Sequence, residues 1–173
     1  MNLFVSSFCP RESAQFLDDK RVGKLLMEAN QLLSLAIKLH HDQPFPRDHI
    51  GPGLVCDGFA HQNHPVSIWV RKTRSNFDWT SQHAFALSEE FTHRFGKEHA
   101  SGHRTSVILE WRENVPEGPL TEFQNSAKNA SVGVDMSHHP VPESYRAYLD
   151  ARWEGDARPP KWTNRGQPEW SHY

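Results

Sequence analysis

A chain of 173 residues can bury one substantial hydrophobic core but is short for two, so a single domain is expected over 1–173. Its 19 Lys and Arg against 21 Asp and Glu leave a net charge of −2 at pH 7, which excludes a global attraction for a phosphate backbone and makes any duplex contact local. Two cysteines exclude a disulfide framework, and the absence of a membrane-length apolar run or a cationic leader points to a cytoplasmic protein with no membrane contact.

From the amino terminus, Leu3, Phe4 and Val5, bounded by Ser6, Ser7 and Cys9-Pro10, predict a short edge strand over residues 2–7. A short helix can start after Pro10. The dominant signal follows from about Asp18 to His40, where Val22, Leu25, Leu26, Ala29, Leu32, Leu33, Ala36 and Ile37 recur at spacings of three and four on one helix face. Residues 42–64, rich in Pro and Gly, predict a loop of lid-like length. A second helical region opens at Pro65, suited to a first helical turn, and stops at Gly96. Ser75-Asn76-Phe77-Asp78 offers a cap that would divide it in two. A shorter helix is expected over Thr105 to Trp111, irregular chain from Glu113 to His139, and a last helix over Pro142 to Trp153 with Tyr145, Leu149 and Trp153 on one face. The Trp residues of the tail from Gly155 predict that it docks on the domain. The sum is a mainly α fold: a short N-terminal strand, two long core helices, a shorter C-terminal helix and an ordered irregular tail. Residues 1–96 would form its motif-bearing core, and 97–173 the remaining helices and tail.

Beside each apolar face runs a polar stripe. On the first long helix it holds Arg21, Lys24, Glu28 and Gln31, with Glu28 near the apolar boundary, where a carboxylate can be partly desolvated. On the second it holds Trp69, Lys72, Asn76, Trp79, His83, Glu90 and His93. Two Trp rings with Asn, His and Glu between them can stack on and hydrogen-bond a planar base or sugar, and equally can be core aromatics with satisfied polar neighbours. Asn63 and His64 precede Pro65 at a helix amino terminus, where free N–H groups favour an anion and a plain capping role serves as well. Lys161 and Arg165 flank Trp162 and could close over a nucleotide or lie on the surface. If the two stripes face each other, Glu28 comes within reach of His83 and Asn76, the pair titrates near neutral pH, and Glu28 and His83 form the catalytic centre. The sequence holds no His-Glu-x-x-His, cysteine cluster or phosphate-binding glycine loop, so no metal and no cofactor is expected.

The order of these motifs carries a resemblance. Met1-Asn2-Leu3-Phe4, Leu17-Asp18-Asp19-Lys20-Arg21 leading to Glu28 and Leu32-Leu33, Asn63-His64-Pro65, and the helix end from Glu90 to Phe95 together resemble the pyrimidine-dimer DNA glycosylase family of the endonuclease V type, over roughly residues 1–96. The chain is also similar to small bacteriophage proteins related to that family, in which case the cytoplasm would be that of an infected host. The resemblance implies a catalytic glutamate on the first long helix, matched by Glu28, a chain-start amine that attacks sugar C1′ to form a Schiff base, and a nucleotide flipped from the duplex. Two features depart from the pattern: Asn2 is bulky for removal of Met1, and the net charge is slightly acidic. The functional expectation is a DNA-base or nucleoside-processing enzyme, cleaving a glycosidic bond or modifying a base, whose partner is nucleic acid or a small nucleotide. Its alternatives are a non-catalytic protein that sequesters a nucleotide and a protein-interaction module built on the Trp residues.

Overall fold

The computed structural model describes residues 1–41, 61–130 and 133–173. Most of the loop expected over 42–64, with Cys56, lies outside the described residues. The chain is mainly helical: α1 (Pro10–Gln15), α2 (Asp19–His40), α3 (Pro65–Lys72), α4 (Arg74–Phe95), α5 (Arg104–Leu109) and α6 (Val141–Glu154), with a 3-10 turn at Arg112–Asn114. A two-stranded antiparallel pair, β1 (Lys128–Asn129) and β2 (Val134–Asp135), aligns Lys128 with Asp135.

The periodic apolar positions of α2, Val22 through Ile37, are buried, as the spacing predicts, while Met27 is exposed, and α2 meets α4 in the principal helix–helix contact. Gly23 permits this approach: a Cβ there would stand 3.2 Å from Cε2 of Phe91 on α4 and 3.3 Å from Nε2 of His99. Buried Asn30 ties α2 to α5, donating to the Ser101 carbonyl and accepting from Thr105 Oγ1. The second helical region is two helices. The break falls at Thr73, whose Oγ1 accepts from the Asn76 N–H and donates to the Pro119 carbonyl, so it caps α4 and anchors the irregular chain at once. Gly96, at φ 65°, ends α4 in the left-handed conformation that glycine adopts without strain.

The expected N-terminal strand does not form. The backbone N–H groups of Leu3 and Phe4 both donate to Asn2 Oδ1, that of Ser6 donates to the Phe4 carbonyl, and Phe4 sits at φ 48°. The segment is a coiled start whose amides are already used, not a ladder. Leu3 and Val5 nevertheless enter the core, and Phe4 leans on Tyr145 and Tyr148 of α6. The tail docks as expected: Trp162 packs edge-on against Trp153 and Trp170 stacks on it. No helix among the described residues is long and apolar enough to cross a membrane.

Candidate functional site at the chain start

Glu28 lies two turns into the exposed edge of α2, and its side chain is 14% exposed. Its two oxygens have separate partners. Oε2 accepts from the backbone N–H of Asn2 at 3.0 Å, and Oε1 faces Lys24 Nζ at 3.5 Å. Around this carboxylate opens a cavity of about 550 Å³ lined by Met1, Asn2, Phe4, Lys24, Glu28, His64, Pro65, Ser126, Lys128 and Tyr148.

The chain start is held against Glu28 by the Asn2 side chain. Its Oδ1 accepts from Leu3 and Phe4 and from the Tyr145 hydroxyl at 2.9 Å, while Nδ2 donates to the Ser126 carbonyl at 3.1 Å. Tyr145 is buried, which pushes its hydroxyl up to about 12, so it stays a protonated donor. On the other wall His64 caps α3, its Nδ1 accepting from the Val66 N–H at 3.2 Å. In the neutral ring that leaves the proton on Nε2. Burial, then the amine of the chain start and His61, lower the His64 pKa against the opposing pull of Glu28. The wall therefore presents a neutral N–H donor at neutral pH.

Of the residues singled out from sequence, Lys24, Glu28 and His64 line this cavity. Gln31 and Asn63 are not among its lining residues. Arg21 is buried and paired with Asp18 and Asp156, at 2.8 and 2.9 Å. Of the stripe on α3 and α4, Trp69, Asn76, Trp79, His83 and Glu90 are interior, while Lys72 and His93 are exposed. Trp69 donates to the Glu122 carbonyl, Trp79 to the Phe8 carbonyl, and Asn76 bridges the Trp69 carbonyl and Thr121. The stacking face that would have served a base is filled by Phe123, whose ring lies 4.9 Å from Trp69 at 28° and 4.9 Å from Trp79 at 73°.

His83 does not join Glu28. It is fully buried, stacks on Trp79 and makes its hydrogen bond to the Pro10 carbonyl at 3.0 Å. Burial lowers its pKa to about 4, with the Pro10 and Leu3 carbonyls opposing only in part. It is thus neutral where it was expected to titrate near neutral pH. Glu90 is buried as well, held by Arg94 Nε at 2.7 Å and by both Nε and Nη2 of Arg165 at 2.7 Å. Arg165 is accordingly a tail clamp, while Lys161 is exposed beside a separate cavity near the start of α2.

Sequence reasoning did not find Ser126, Lys128 or Tyr148. They come from irregular chain and from a position beside the Tyr145–Leu149 face, where periodicity carries no sign of a distant cavity. Asn2 appeared in the sequence as part of the chain-start motif and as an obstacle to processing of Met1, and its anchoring role rests on contacts across 124 and 143 residues.

The cavity thus gathers the Glu28 carboxylate, 3.0 Å from the backbone nitrogen of residue 2, with two lysines, Lys24 and Lys128, and the neutral imidazole of His64. The chain matches the family described as pyrimidine dimer DNA glycosylase over residues 1–101, and it belongs to that family. The matched span carries Met1, Asn2, Lys24, Glu28 and His64, while Ser126, Lys128, α6 and the tail lie beyond it. No curated protein and no solved structure matches the chain.

Proposed function

We propose that this protein cleaves a glycosidic bond in DNA, using as nucleophile the amine that removal of Met1 exposes on Asn2, with Glu28 as its carboxylate partner. The observation that carries this reading is the 3.0 Å contact, inside an open cavity, between Glu28 Oε2 and the backbone N–H of Asn2, the nitrogen that becomes the chain-start amine once Met1 is cleaved. The amine lone pair attacks sugar C1′, the bond from C1′ to the base breaks, and the base leaves with the electron pair and takes up a proton. Loss of a proton from the attacking nitrogen and opening of the C1′–O4′ bond then give the iminium, the Schiff base to the sugar. Glu28 stabilises the positive charge that develops on the sugar and receives the amine proton. Lys24 and Lys128 are placed to meet flanking phosphates, and the Nε2–H of His64 can donate to an oxygen of the sugar or the departing base. A cavity of about 550 Å³ falls within the usual range of about 300–1,000 Å³ for small-ligand sites and so admits one extruded nucleotide.

Borohydride reduction in the presence of duplexes carrying a pyrimidine dimer or an abasic site tests the reading. Native protein should become covalently attached to DNA, and mass analysis of the trapped peptide should place the sugar on the chain-start nitrogen. Glu28→Gln should lower base release by about 100-fold or more, the lower range of general acid–base contributions, with DNA affinity nearly unchanged. Absence of any covalent product on all these duplexes refutes the proposal. A small nucleotide retained by protein taken directly from cells would favour sequestration instead.

A further inference from the structure

From Glu28 the row Lys24 and Lys20 runs back along α2 at intervals of four residues, both lysines with side chains more than 60% exposed. Eight residues of helix cover about 12 Å, the axial length of about three or four nucleotides of one strand. At its far end lies a cavity of about 690 Å³, lined by Asp18, Asp19, Lys20, Ala157, Arg158, Pro159, Pro160 and Lys161. The carboxylates near this cavity are already neutralised: Asp18 by Arg21 and the Trp153 N–H, Asp19 by Arg94 and Thr163, and Asp156 by Arg21 and Lys20. Arg158 and Lys161 are exposed and form no ion pair among the described residues. The Lys161 carbonyl accepts from the Asp19 N–H at 2.8 Å, which seats the tail cations beside Lys20. Pro159 and Pro160 between them restrict φ, so the backbone that carries the two cations is constrained before any ligand arrives.

We infer that Lys20, Arg158 and Lys161 form a track for the phosphates of DNA, extending the Glu28 cavity along α2 with cations supplied by a segment outside the family match. This rests on the reading that the cavity acts on DNA, and it accounts for how a chain of net charge −2 engages a polyanion: Lys20, exposed beside its partner Asp156, and the unpaired Arg158 and Lys161 are collected on one line leading to the site.

The test is the salt dependence of binding to a duplex with an abasic site and to an undamaged duplex, for native protein, the Lys20→Gln/Arg158→Gln/Lys161→Gln variant and a Lys72→Gln control. All three cations of the track are exposed, so the variant should fold, and Arg158→Glu/Lys161→Glu provides a charge-reversed second version. The expected result is a slope of log affinity against log salt shallower by about 2 to 3 in the triple variant, near one per phosphate lost, with the same weakening on both duplexes. The Lys72→Gln control should keep the native slope. A triple variant with the native slope, or native protein without salt-dependent DNA affinity, overturns the track. Native protein that shows the expected slope difference but no borohydride product supports the track while refuting the glycosidic-cleavage reading. Covalent product with an unchanged slope in the triple variant does the reverse.

Discussion

His83 shows how burial, acting on one residue, sets protonation and with it stability. Its pKa in the folded chain is about 4, below the ordinary 6.5. The folded state therefore excludes a proton that the unfolded state accepts, so the stability due to the neutral ring is complete above pH 6.5 and is lost as the pH falls through about 4. The shift corresponds to about 3 kcal/mol. Urea denaturation between pH 7 and 4 should show a decline of that order, and His83→Asn, which can still donate to the Pro10 carbonyl but does not titrate, should flatten it. An equal slope in the variant would assign the acid sensitivity to other groups. Asn2 illustrates the opposite case, a polar side chain whose every hydrogen-bonding group is used to fix backbone in place beside Glu28.

At the scale of elements, the junction of α3 and α4 is decided by a single hydroxyl. Pro65 and Gly96 mark the outer limits of this pair in the sequence, and the possibility of a division is visible in its polar run, yet the capping residue is Thr73, two positions before Ser75. The reason is tertiary: Thr73 Oγ1 also donates to the Pro119 carbonyl, and Gly118 is close enough that a Cβ there would stand 2.9 Å from Thr73 Cγ2. Thr73→Ala should cost about 1 kcal/mol in thermal or chemical denaturation, as losses of helix caps do, with Thr73→Ser retaining most of it. A stability unchanged in both variants would show that Pro119 and Gly118, not the cap, define the junction.

Across the whole molecule, a buried charge network fastens the tail to the helical core. Arg94, with no exposed side-chain surface, reaches Glu90, Asp19 and the Gln15 carbonyl, and Arg165 closes on both oxygens of Glu90. Removing Arg165 leaves Glu90 Oε2 buried without its partner, a loss of about 1–3 kcal/mol. Arg165→Gln should therefore lower the urea midpoint, and protease susceptibility after Gly155 should rise as the Trp162 and Trp170 contacts loosen. A variant as stable and as resistant as native protein would show that the Trp packing alone holds the tail. What the sequence by itself determined is the run of α2, which it placed to within a residue of its observed start, the ends of the α3–α4 pair, the last helix and the docking of the tail, because three-and-four periodicity, Pro, Gly and caps act over a few neighbouring residues. Only the tertiary structure decided which polar stripe meets solvent. Asn76, Trp79 and His83 of the α4 stripe are interior because Phe123, Thr121 and the Phe8 and Pro10 carbonyls, all from stretches without periodicity or from short turns, cover them. It likewise brought the chain start to Glu28, a meeting of residues 26 apart held by a tyrosine 143 residues from Asn2, and no local pattern encodes contacts of that span.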